Sequence, residues 1–207
     1  MLVAVVTGSG GGIGREHALA LSAAGAALVI NDLGGTRDGS GAGHNMADAV
    51  VEEIRKAGGT AVANYDSVAT VAGGQGILKS ALDAVGRVDV LVNNAGILRD
   101  KSFAKMELAD FRLVLDVHLM GAVHCCKAVW PHMSAQKYGR IVMTTSSSGL
   151  YGNFGQSNYG AAKLALVGLM QTLAIDGTPE QLAQLPLPER VAGMLRRRRE
   201  LLAAPAR

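Results

Sequence analysis

Short aliphatic runs alternate with helical patterns along this chain, and the alternation restricts the fold more than any other feature. The apolar runs lie at residues 2–6, 27–30, 60–63, 88–92 and 140–144. Helical patterns follow them at residues 13–24, 46–54, 68–85, 107–133 and 158–175. Pro131 is expected to mark the end of the fourth of these. Strands that are apolar on both faces, each followed by a helix, are typical of a parallel sheet covered on both sides. We therefore predict an α/β protein with a doubly wound parallel sheet, whose ligands bind at the carboxyl ends of the strands.

Charge and cysteine content exclude several classes of protein. From Gly177 onward the chain has six arginines and three glutamates, so residues 1–176 are electrically neutral. A neutral body argues against a nucleic-acid interface, which would show a basic face. No apolar run approaches the length of a membrane span, and no basic segment precedes the first one. The adjacent Cys125 and Cys126 fit a reducing compartment. We expect a cytoplasmic protein with neither nucleic-acid nor membrane partners.

A glycine-rich loop, Thr7-Gly8-x3-Gly12-Ile13-Gly14, joins the first predicted strand to the first helix. Without β-carbons the backbone can turn tightly and approach a pyrophosphate, whose charge meets the free N–H groups of the helix. An isolated match of this kind could be an ordinary turn. The strand before it and the helix after it favour a nucleotide-phosphate loop formed by Gly8, Gly12, Ile13 and Gly14.

Asp32 ends the second predicted strand. A carboxylate there could accept both ribose hydroxyls of an adenosine and would repel a 2′-phosphate. The alternative is a turn-forming Asp, because Leu33-Gly34-Gly35 follows. Arg37 lies nearby, but no arginine directly follows Asp32. The sequence therefore favours NAD over NADP.

Polar residues also follow the third and fourth strands. Asp66 and Ser67 could contact the adenine, although Asp66 could equally cap the next helix. Asn93, Ala95 and Gly96 belong to an Asn93-Asn94-Ala95-Gly96 segment that could reflect turn chemistry alone. Its expected place beside the first strand, at the nucleotide crevice, favours a role in binding the cofactor.

Tyr159 and Lys163 are four residues apart and so share one helical face. A phenol titrates near pH 10, so using it at neutral pH requires about 4 kcal/mol of phenolate stabilisation. A lysine ammonium could provide it. Ser146, just after the fifth strand, could hold a substrate oxygen while Tyr159 exchanges the proton. A surface Tyr/Lys pair is the alternative, and the position of this helix after a Thr-Ser-Ser-Ser strand end argues against it. No metal site is expected.

These motifs, in this order and spacing, resemble the short-chain dehydrogenase/reductases over residues 1–176. The resemblance implies a Rossmann-like fold, a nicotinamide cofactor and catalysis by Ser146, Tyr159 and Lys163. Tyr159 and Lys163 would also bind the cofactor, with Lys163 holding its ribose. It further implies a homo-oligomer (dimer or tetramer) formed by the helices bearing Tyr159 and Gly121. Narrower stretches, such as Asn31–Gly35 and Tyr151–Gln156, are similar to the (3R)-hydroxyacyl-CoA dehydrogenase branch. That likeness implies an acyl-CoA substrate oxidised with NAD+.

The sequence departs from the family pattern at two places. His118 stands where most members have an asparagine that helps to hold a water-linked proton relay. After residue 176 the family's last two strands are not recognisable, and a Pro/Arg-rich tail occupies residues 177–207. We therefore predict a dinucleotide-binding oxidoreductase domain at 1–176 and an atypical tail. A non-catalytic dinucleotide-binding protein and an NADPH-dependent 3-oxoacyl reductase are the alternative functions.

Overall fold

The computed structural model describes residues 1–177. The predicted tail lies outside the described residues, apart from Gly177. The strands are β1 (Val3–Thr7), β2 (Ala27–Asn31), β3 (Ala61–Asn64), β4 (Val90–Asn93) and β5 (Arg140–Met143). The helices are α1 (Gly12–Ala23), α2 (Asn45–Lys56), α3 (Val71–Val85), α4 (Leu108–Leu115), α5 (Gly121–Ala135), α6 (Ser147–Tyr151) and α7 (Ser157–Asp176). A 3₁₀ turn at Phe103–Lys105 precedes α4, and a π turn at Asp116–Met120 joins α4 to α5.

The five strands form one parallel sheet in the order β3-β2-β1-β4-β5. The chain moves outward from β1 to β3 and then crosses back to β4, so β1 and β4 flank the point where the strand order reverses. In such a sheet a ligand crevice opens beyond the carboxyl ends of these two strands. The predicted α/β class and doubly wound parallel sheet are thus confirmed.

Two hydrophobic layers cover the faces of the sheet. Val3 and Val5 of β1 belong to the layer under α3 and α5, and Ala4 and Val6 belong to the layer under α1 and α2. This division follows from the period of two along a strand. Because both faces are covered, every residue of β1 is buried. β5 is the edge of the described sheet and is only partly buried.

The helical stretch Leu108–Ala135 departs from two sequence predictions. It has 28 residues, and an 18-residue window within it has a mean hydropathy of 1.3, so its length and composition would suit a membrane span, which we did not expect from the sequence. Its buried residues, among them Cys125 and Val129, instead pack into the layer beneath α3. Pro131 lies inside α5 and does not end it. Pro131 is exposed, so water can bond the carbonyl that its missing N–H leaves free, while buried Met133 holds the last turn.

A buried carboxylate joins the start of β1 to the start of β4. Asp89 is 0 % exposed; it accepts a hydrogen bond of 2.8 Å from the backbone N–H of Val3 and pairs with Arg87 at 2.6 Å. Asp89→Ala is expected to lower the free energy of unfolding by about 2 kcal/mol, because the Val3 N–H is left buried without an acceptor. Asp83→Ala removes an exposed carboxylate and is the matched control, with an expected change of about 0.5 kcal/mol or less. Urea denaturation measures both, and equal losses would contradict this account.

Candidate active site

A groove of about 600 Å³ opens at the carboxyl ends of the strands, where the strand order reverses. Its size lies within the usual range for small-molecule and cofactor sites. Residues from the glycine loop, the ends of β2, β3 and β4, and α4 line it, including Gly8, Gly12, Asp32, Asp66, Ser67, Ala95 and Gly96. Seven of the predicted cofactor residues therefore share one groove.

The glycines of the first loop have different physical roles. Gly12 has φ +53°, and a β-carbon built there would meet nothing within 4 Å, so its backbone faces open space in the groove. A β-carbon on Gly14 would lie 2.2 Å from the Gly8 carbonyl oxygen. Gly12 thus leaves room for a phosphate, and buried Gly14 allows α1 to start directly beneath the loop. Ile13, also predicted to bind the cofactor, is 64 % exposed in the first turn of α1.

Asn94 and Thr7 join the glycine loop to the segment after β4. The Asn94 side-chain amide donates to the carbonyl oxygens of Thr7 and Gly8 at 3.0 Å each. The Thr7 hydroxyl accepts from the backbone N–H groups of Asn94 and Ala95 at 3.0 and 3.1 Å. Neither side chain was predicted as a site residue, although both belong to the quoted motifs. Their bonds hold the two walls of the groove at a constant distance.

Asp32 lies at the end of β2 with its carboxylate held by backbone donors. One oxygen accepts from the N–H of Gly10 at 2.8 Å and the other from Gly34 at 2.7 Å. A carboxylate oxygen has further lone pairs, so both remain able to accept from ribose hydroxyls. The bond from Gly34 shows that Asp32 stabilises the turn after β2, which was the alternative interpretation. Asp32 also lines the groove, so both interpretations describe its position.

Asp66 does not cap α3, contrary to the alternative considered above. The cap is Thr70, whose hydroxyl accepts from the N–H of Gly73 at 3.0 Å. The Asp66 carboxylate instead accepts from the Asn64 side chain at 2.7 Å, on the groove wall beside Ser67. Met46, an apolar residue in the first turn of α2, is exposed and lines the same groove.

The loop after β2 crosses to the segment after β4. The N–H of Leu98 donates to the carbonyl of Arg37 at 3.0 Å, and the Arg99 side chain donates to the carbonyl of Asp38 at 2.5 Å. Gly39 packs against Ile97, since a β-carbon there would lie 3.1 Å from it. These contacts place Arg37 on the groove wall, on the side of Asp32.

Tyr159 and Lys163 lie on α7 beside a buried stripe of Asn158, Ala162 and Leu166. The Lys163 ammonium donates to the carbonyl of Thr144, just after β5, at 2.6 Å and lies 5.5 Å from the centre of the Tyr159 ring. Burial lowers the pKa of Lys163 from 10.5 to about 8. At neutral pH the lysine is therefore mostly charged, close to a phenol that its charge can stabilise as phenolate.

Ser146 is the N-cap residue of α6, and its hydroxyl accepts from the N–H of Ser148 at 3.2 Å. Two glycines allow α6 to pack closely on α7: a β-carbon on Gly149 would lie 3.0 Å from Lys163, and one on Gly160 would lie 3.0 Å from the Ser148 carbonyl. The end of β5 is joined to the same turn, because the Thr145 hydroxyl donates to the Lys163 carbonyl at 2.8 Å. The fold thus brings the Ser146 turn against the turn that carries Tyr159 and Lys163.

Two further buried polar residues surround this turn. Asn158 is fully buried, and its amide donates to the carbonyl of Arg99 at 3.0 Å, which fixes the start of α7. His118, in the π turn, meets the Tyr159 ring edge-to-face with 5.2 Å between ring centres. Burial, and secondarily the charge of Lys163, lowers the pKa of His118 to about 4. Sequence reasoning noticed His118 only as a departure from the family and missed Asn158.

Gly14→Ala is expected to weaken NAD binding on the order of tenfold, because the new methyl group overlaps backbone and the loop must move. Gly168→Ala is the control: Gly168 is exposed on α7 with open space around it, so NAD affinity should not change. Isothermal titration calorimetry measures both affinities, with circular dichroism to verify folding. A folded Gly14→Ala variant with unchanged affinity would exclude the glycine loop from the site.

The fold is that of a doubly wound α/β protein with a groove at its topological switch point, and comparison with known proteins gives the family. The family model described as short chain dehydrogenase matches residues 2–183. The chain belongs to the short-chain dehydrogenase family.

Individual relatives agree with this assignment. A Mycobacterium tuberculosis protein named as a short-chain type dehydrogenase/reductase is 62 % identical over 175 residues, 84 % of this chain and 61 % of that protein. The peroxisomal multifunctional enzyme type 2 of Drosophila melanogaster is 58 % identical over 84 % of this chain and 29 % of its own length. The chain therefore spans less than two thirds of these relatives.

Solved structures show the same similarity. A short chain dehydrogenase from Mycobacterium avium superposes with a TM-score of 0.77 at 42 % identity, over 85 % of this chain and 63 % of that one. A 7α-hydroxysteroid dehydrogenase complexed with NADH and 7-oxo glycochenodeoxycholic acid superposes with a TM-score of 0.79 at 30 % identity. The superposition covers 87 % of this chain and 67 % of the hydroxysteroid dehydrogenase chain.

Proposed function

We propose that this chain is an NAD-dependent oxidoreductase that interconverts a secondary alcohol and a ketone, with 3-hydroxyacyl-CoA as its substrate. The observation that carries the proposal is the position of Tyr159 beside the Lys163 ammonium on α7. It is combined with a groove at the carboxyl ends of the strands that Asp32 lines. Tyr159 and Lys163 would supply a proton acceptor, and the groove with Asp32 would supply a site for an adenosine ribose. Together they serve hydride transfer coupled to proton transfer.

The residues of the groove fit a dinucleotide. Gly12 leaves backbone space where a pyrophosphate would approach, and the Asp32 carboxylate lies where ribose hydroxyls would donate to it. Asp66, Ser67, Ala95 and Gly96 would line the rest of the cofactor, and Gly8, Ile13, Gly14 and Asn93 would support the loops that hold it. NAD+, when bound, supplies the hydride acceptor.

In the proposed mechanism the substrate hydroxyl lies between Ser146 and Tyr159. The Ser146 hydroxyl donates a hydrogen bond to the substrate oxygen, and the Tyr159 phenolate accepts the hydroxyl proton as general base. The Lys163 ammonium stabilises that phenolate and keeps it poised near neutral pH. In the reverse direction the same Tyr159 returns the proton to the carbonyl oxygen.

The acyl-CoA substrate is supported by sequence similarity. Proteins named peroxisomal multifunctional enzyme type 2 or hydratase-dehydrogenase-epimerase are 50–58 % identical to this chain over 84 % of its length. The experiment is the formation of NADH, followed by absorbance at 340 nm, from NAD+ and each enantiomer of a 3-hydroxyacyl-CoA. We expect turnover with the (3R) enantiomer. Absence of NADH with either enantiomer, in a protein that binds NAD, would overturn the substrate proposal.

Cofactor preference gives a separate prediction. The Asp32 carboxylate should favour NAD over NADP by about 10²-fold in kcat/KM, because it would face a 2′-phosphate with like charge. Asp32→Ser should remove most of this preference, whereas Asp38→Ser, on the same loop, should leave it in place. Initial rates with both cofactors measure it. An unchanged preference in Asp32→Ser would place the discrimination elsewhere.

An NADPH-dependent 3-oxoacyl reductase is the second candidate. Its support is Arg37, which lines the groove on the side of Asp32, and a 3-oxoacyl-[acyl-carrier-protein] reductase of Synechocystis that is 44 % identical over 172 residues. A strong preference for NADPH over NADH in the wild-type protein would favour it. A non-catalytic dinucleotide-binding protein is the third, and binding of NAD without turnover of any secondary alcohol would favour that one.

Assembly and compartment are part of the proposal. We infer a homo-oligomer, a dimer or tetramer, formed through α5 and α7, for which sedimentation equilibrium is the direct test. The sequence favours the cytoplasm, while several relatives carry peroxisomal names. Fractionation of the source cells would decide between these compartments.

A further inference from the structure

His118 is almost completely enclosed by the site. It is 4 % exposed and meets Tyr159 edge-to-face. A β-carbon on Gly96 would lie 2.2 Å from the His118 ring, so the ring also supports the segment after β4. His118 therefore lies between two parts of the proposed site: the wall of the cofactor groove and the phenol.

One nitrogen of the His118 ring contacts the backbone of Ile97. Nε2 lies 2.8 Å from the Ile97 carbonyl oxygen and 3.0 Å from its N–H nitrogen. A neutral imidazole uses each nitrogen either as donor or as acceptor, so Nε2 can bond only one of these groups. The shorter of the two contacts, to the carbonyl, is the one that Nε2 makes as a donor.

That other nitrogen, Nδ1, and the side-chain oxygen of Asn93 are buried and have no hydrogen-bond partner among the atoms of residues 1–177. Both residues line the same small cavity of about 10 Å³, and Asn93 is 6 % exposed. A buried polar atom without a partner is costly, and a cavity of this size whose lining includes both of these residues has room for one water molecule. An amide oxygen can only accept, so a water between the two atoms would donate one hydrogen to Asn93. It would donate its other hydrogen to Nδ1 when Nε2 carries the ring proton, and would accept from Nδ1 in the other tautomer.

We propose that His118 is a neutral positioning residue, joined to Asn93 through one buried water and donating from Nε2 to the Ile97 carbonyl. In this role it holds the Gly96–Ile97 wall of the cofactor groove and backs the Tyr159 ring, and it carries no proton to or from the substrate. The inference deepens the proposed function and rests on it only for its kinetic test.

The charged groups around His118 agree with a neutral ring. The Lys163 ammonium on α7 opposes a second positive charge, and Tyr159 is the other titratable residue packed against the ring. The Ile97 carbonyl favours protonation, but burial outweighs it. A neutral ring has a single N–H to donate, and on Nε2 that N–H faces the Ile97 carbonyl.

Nitrogen-15 NMR of the whole 207-residue protein, labelled in histidine, tests the tautomer without any assay of activity. We expect His118 to be neutral and protonated on Nε2 from pH 5.5 to pH 9, and Asn93→Ala to shift the Nδ1 resonance more than that of Nε2. A charged ring at pH 6, a proton on Nδ1, or a Nδ1 resonance unmoved by Asn93→Ala would overturn the proposal. This result stands whether or not the proposed substrate is turned over.

Two variants test positioning. His118→Gln can still donate to the Ile97 carbonyl, whereas His118→Leu cannot. We expect His118→Leu to weaken NAD binding on the order of tenfold and to lower kcat on the order of 10²-fold, since small displacements of catalytic groups have effects of this size. His118→Gln should keep both within about threefold of wild type, with the same dependence of kcat on pH. If Gln loses as much as Leu, or if a folded Leu variant loses nothing, the positioning role is wrong.

Discussion

Tyr159→Phe is expected to lower kcat about 10³-fold while NAD still binds, because it removes one hydroxyl group that exchanges the substrate proton. The aromatic ring, its edge-to-face contact with His118 and its place on the buried face of α7 are retained. Binding and catalysis should therefore separate in this variant, as they do when an interaction acts only in the transition state.

Tyr151→Phe is the matched control for this loss. Tyr151 ends α6, close to the same site, but its side chain is 86 % exposed. The same removal of a phenolic hydroxyl should leave kcat within about twofold, because exposed substitutions away from the chemistry have small effects. Steady-state kinetics and NAD titration measure both variants. Full turnover in Tyr159→Phe would assign the proton transfer to another group.

Lys163→Met is expected to lower kcat on the order of 10²-fold or more, since the phenolate of Tyr159 then lacks its neighbouring cation. Met fills a similar volume without a charge, so the packing against Ala162 and Thr144 should be largely kept. Lys79→Met is the control: the Lys79 side chain is exposed on the outer face of α3, so this substitution should not change kcat. Retained activity in Lys163→Met would show that the ammonium has no part in stabilising the phenolate.

The same variant should change stability in a pH-dependent way. Burial lowers the pKa of Lys163 to about 8 from its usual 10.5, so between these values the unfolded chain binds more protons than the folded one. The free energy of unfolding therefore gains a contribution that rises with pH across this window, by roughly 3 kcal/mol in total. Below pH 8 the buried charge costs stability, and Lys163→Met should be at least as stable as wild type there. Urea melts at pH 7 and pH 10 measure the difference; a variant with the wild-type slope would contradict the assignment.

The sheet was predictable from the sequence because its strands are marked by composition. Runs such as Ala27–Asn31 contain only aliphatic residues before a polar end, as expected for strands buried on both faces. The strand bounds differ from prediction by one or two residues, because ladder pairing and not side-chain type ends a strand. With right-handed crossovers, the order β3-β2-β1-β4-β5 places helices on both faces of the sheet, as expected for a doubly wound fold.

Other features depend on tertiary contacts that no local pattern records. Pro131 remains inside α5 because Met133 is buried beyond it. Met46 has helical spacing with the buried Val50 and Ile54, but it is exposed and lines the groove. The short helix α6 was not predicted because five residues carry too little periodicity to recognise.

The candidate site residues with reactive groups could be proposed from their chemistry, and the residues that hold them in place could not. Asn94, Asn158 and His118 act through bonds to backbone atoms 21 to 87 residues away in sequence. Such partners become visible only when the fold is known. Of these three residues, only His118 stood out in the sequence, because it departs from the family pattern at its position.

Hydride transfer with a deuterated substrate tests the proposed function most directly. The protein is mixed with NAD+ and a 3-hydroxyacyl-CoA carrying deuterium on the carbinol carbon, and the reduced nicotinamide is analysed by mass spectrometry. We expect the deuterium to appear in NADH in the wild-type protein and to appear far more slowly in Tyr159→Phe. NAD binding at the groove with no deuterium in the nicotinamide, for this or any other secondary alcohol, would contradict a dehydrogenase built around Tyr159 and Lys163.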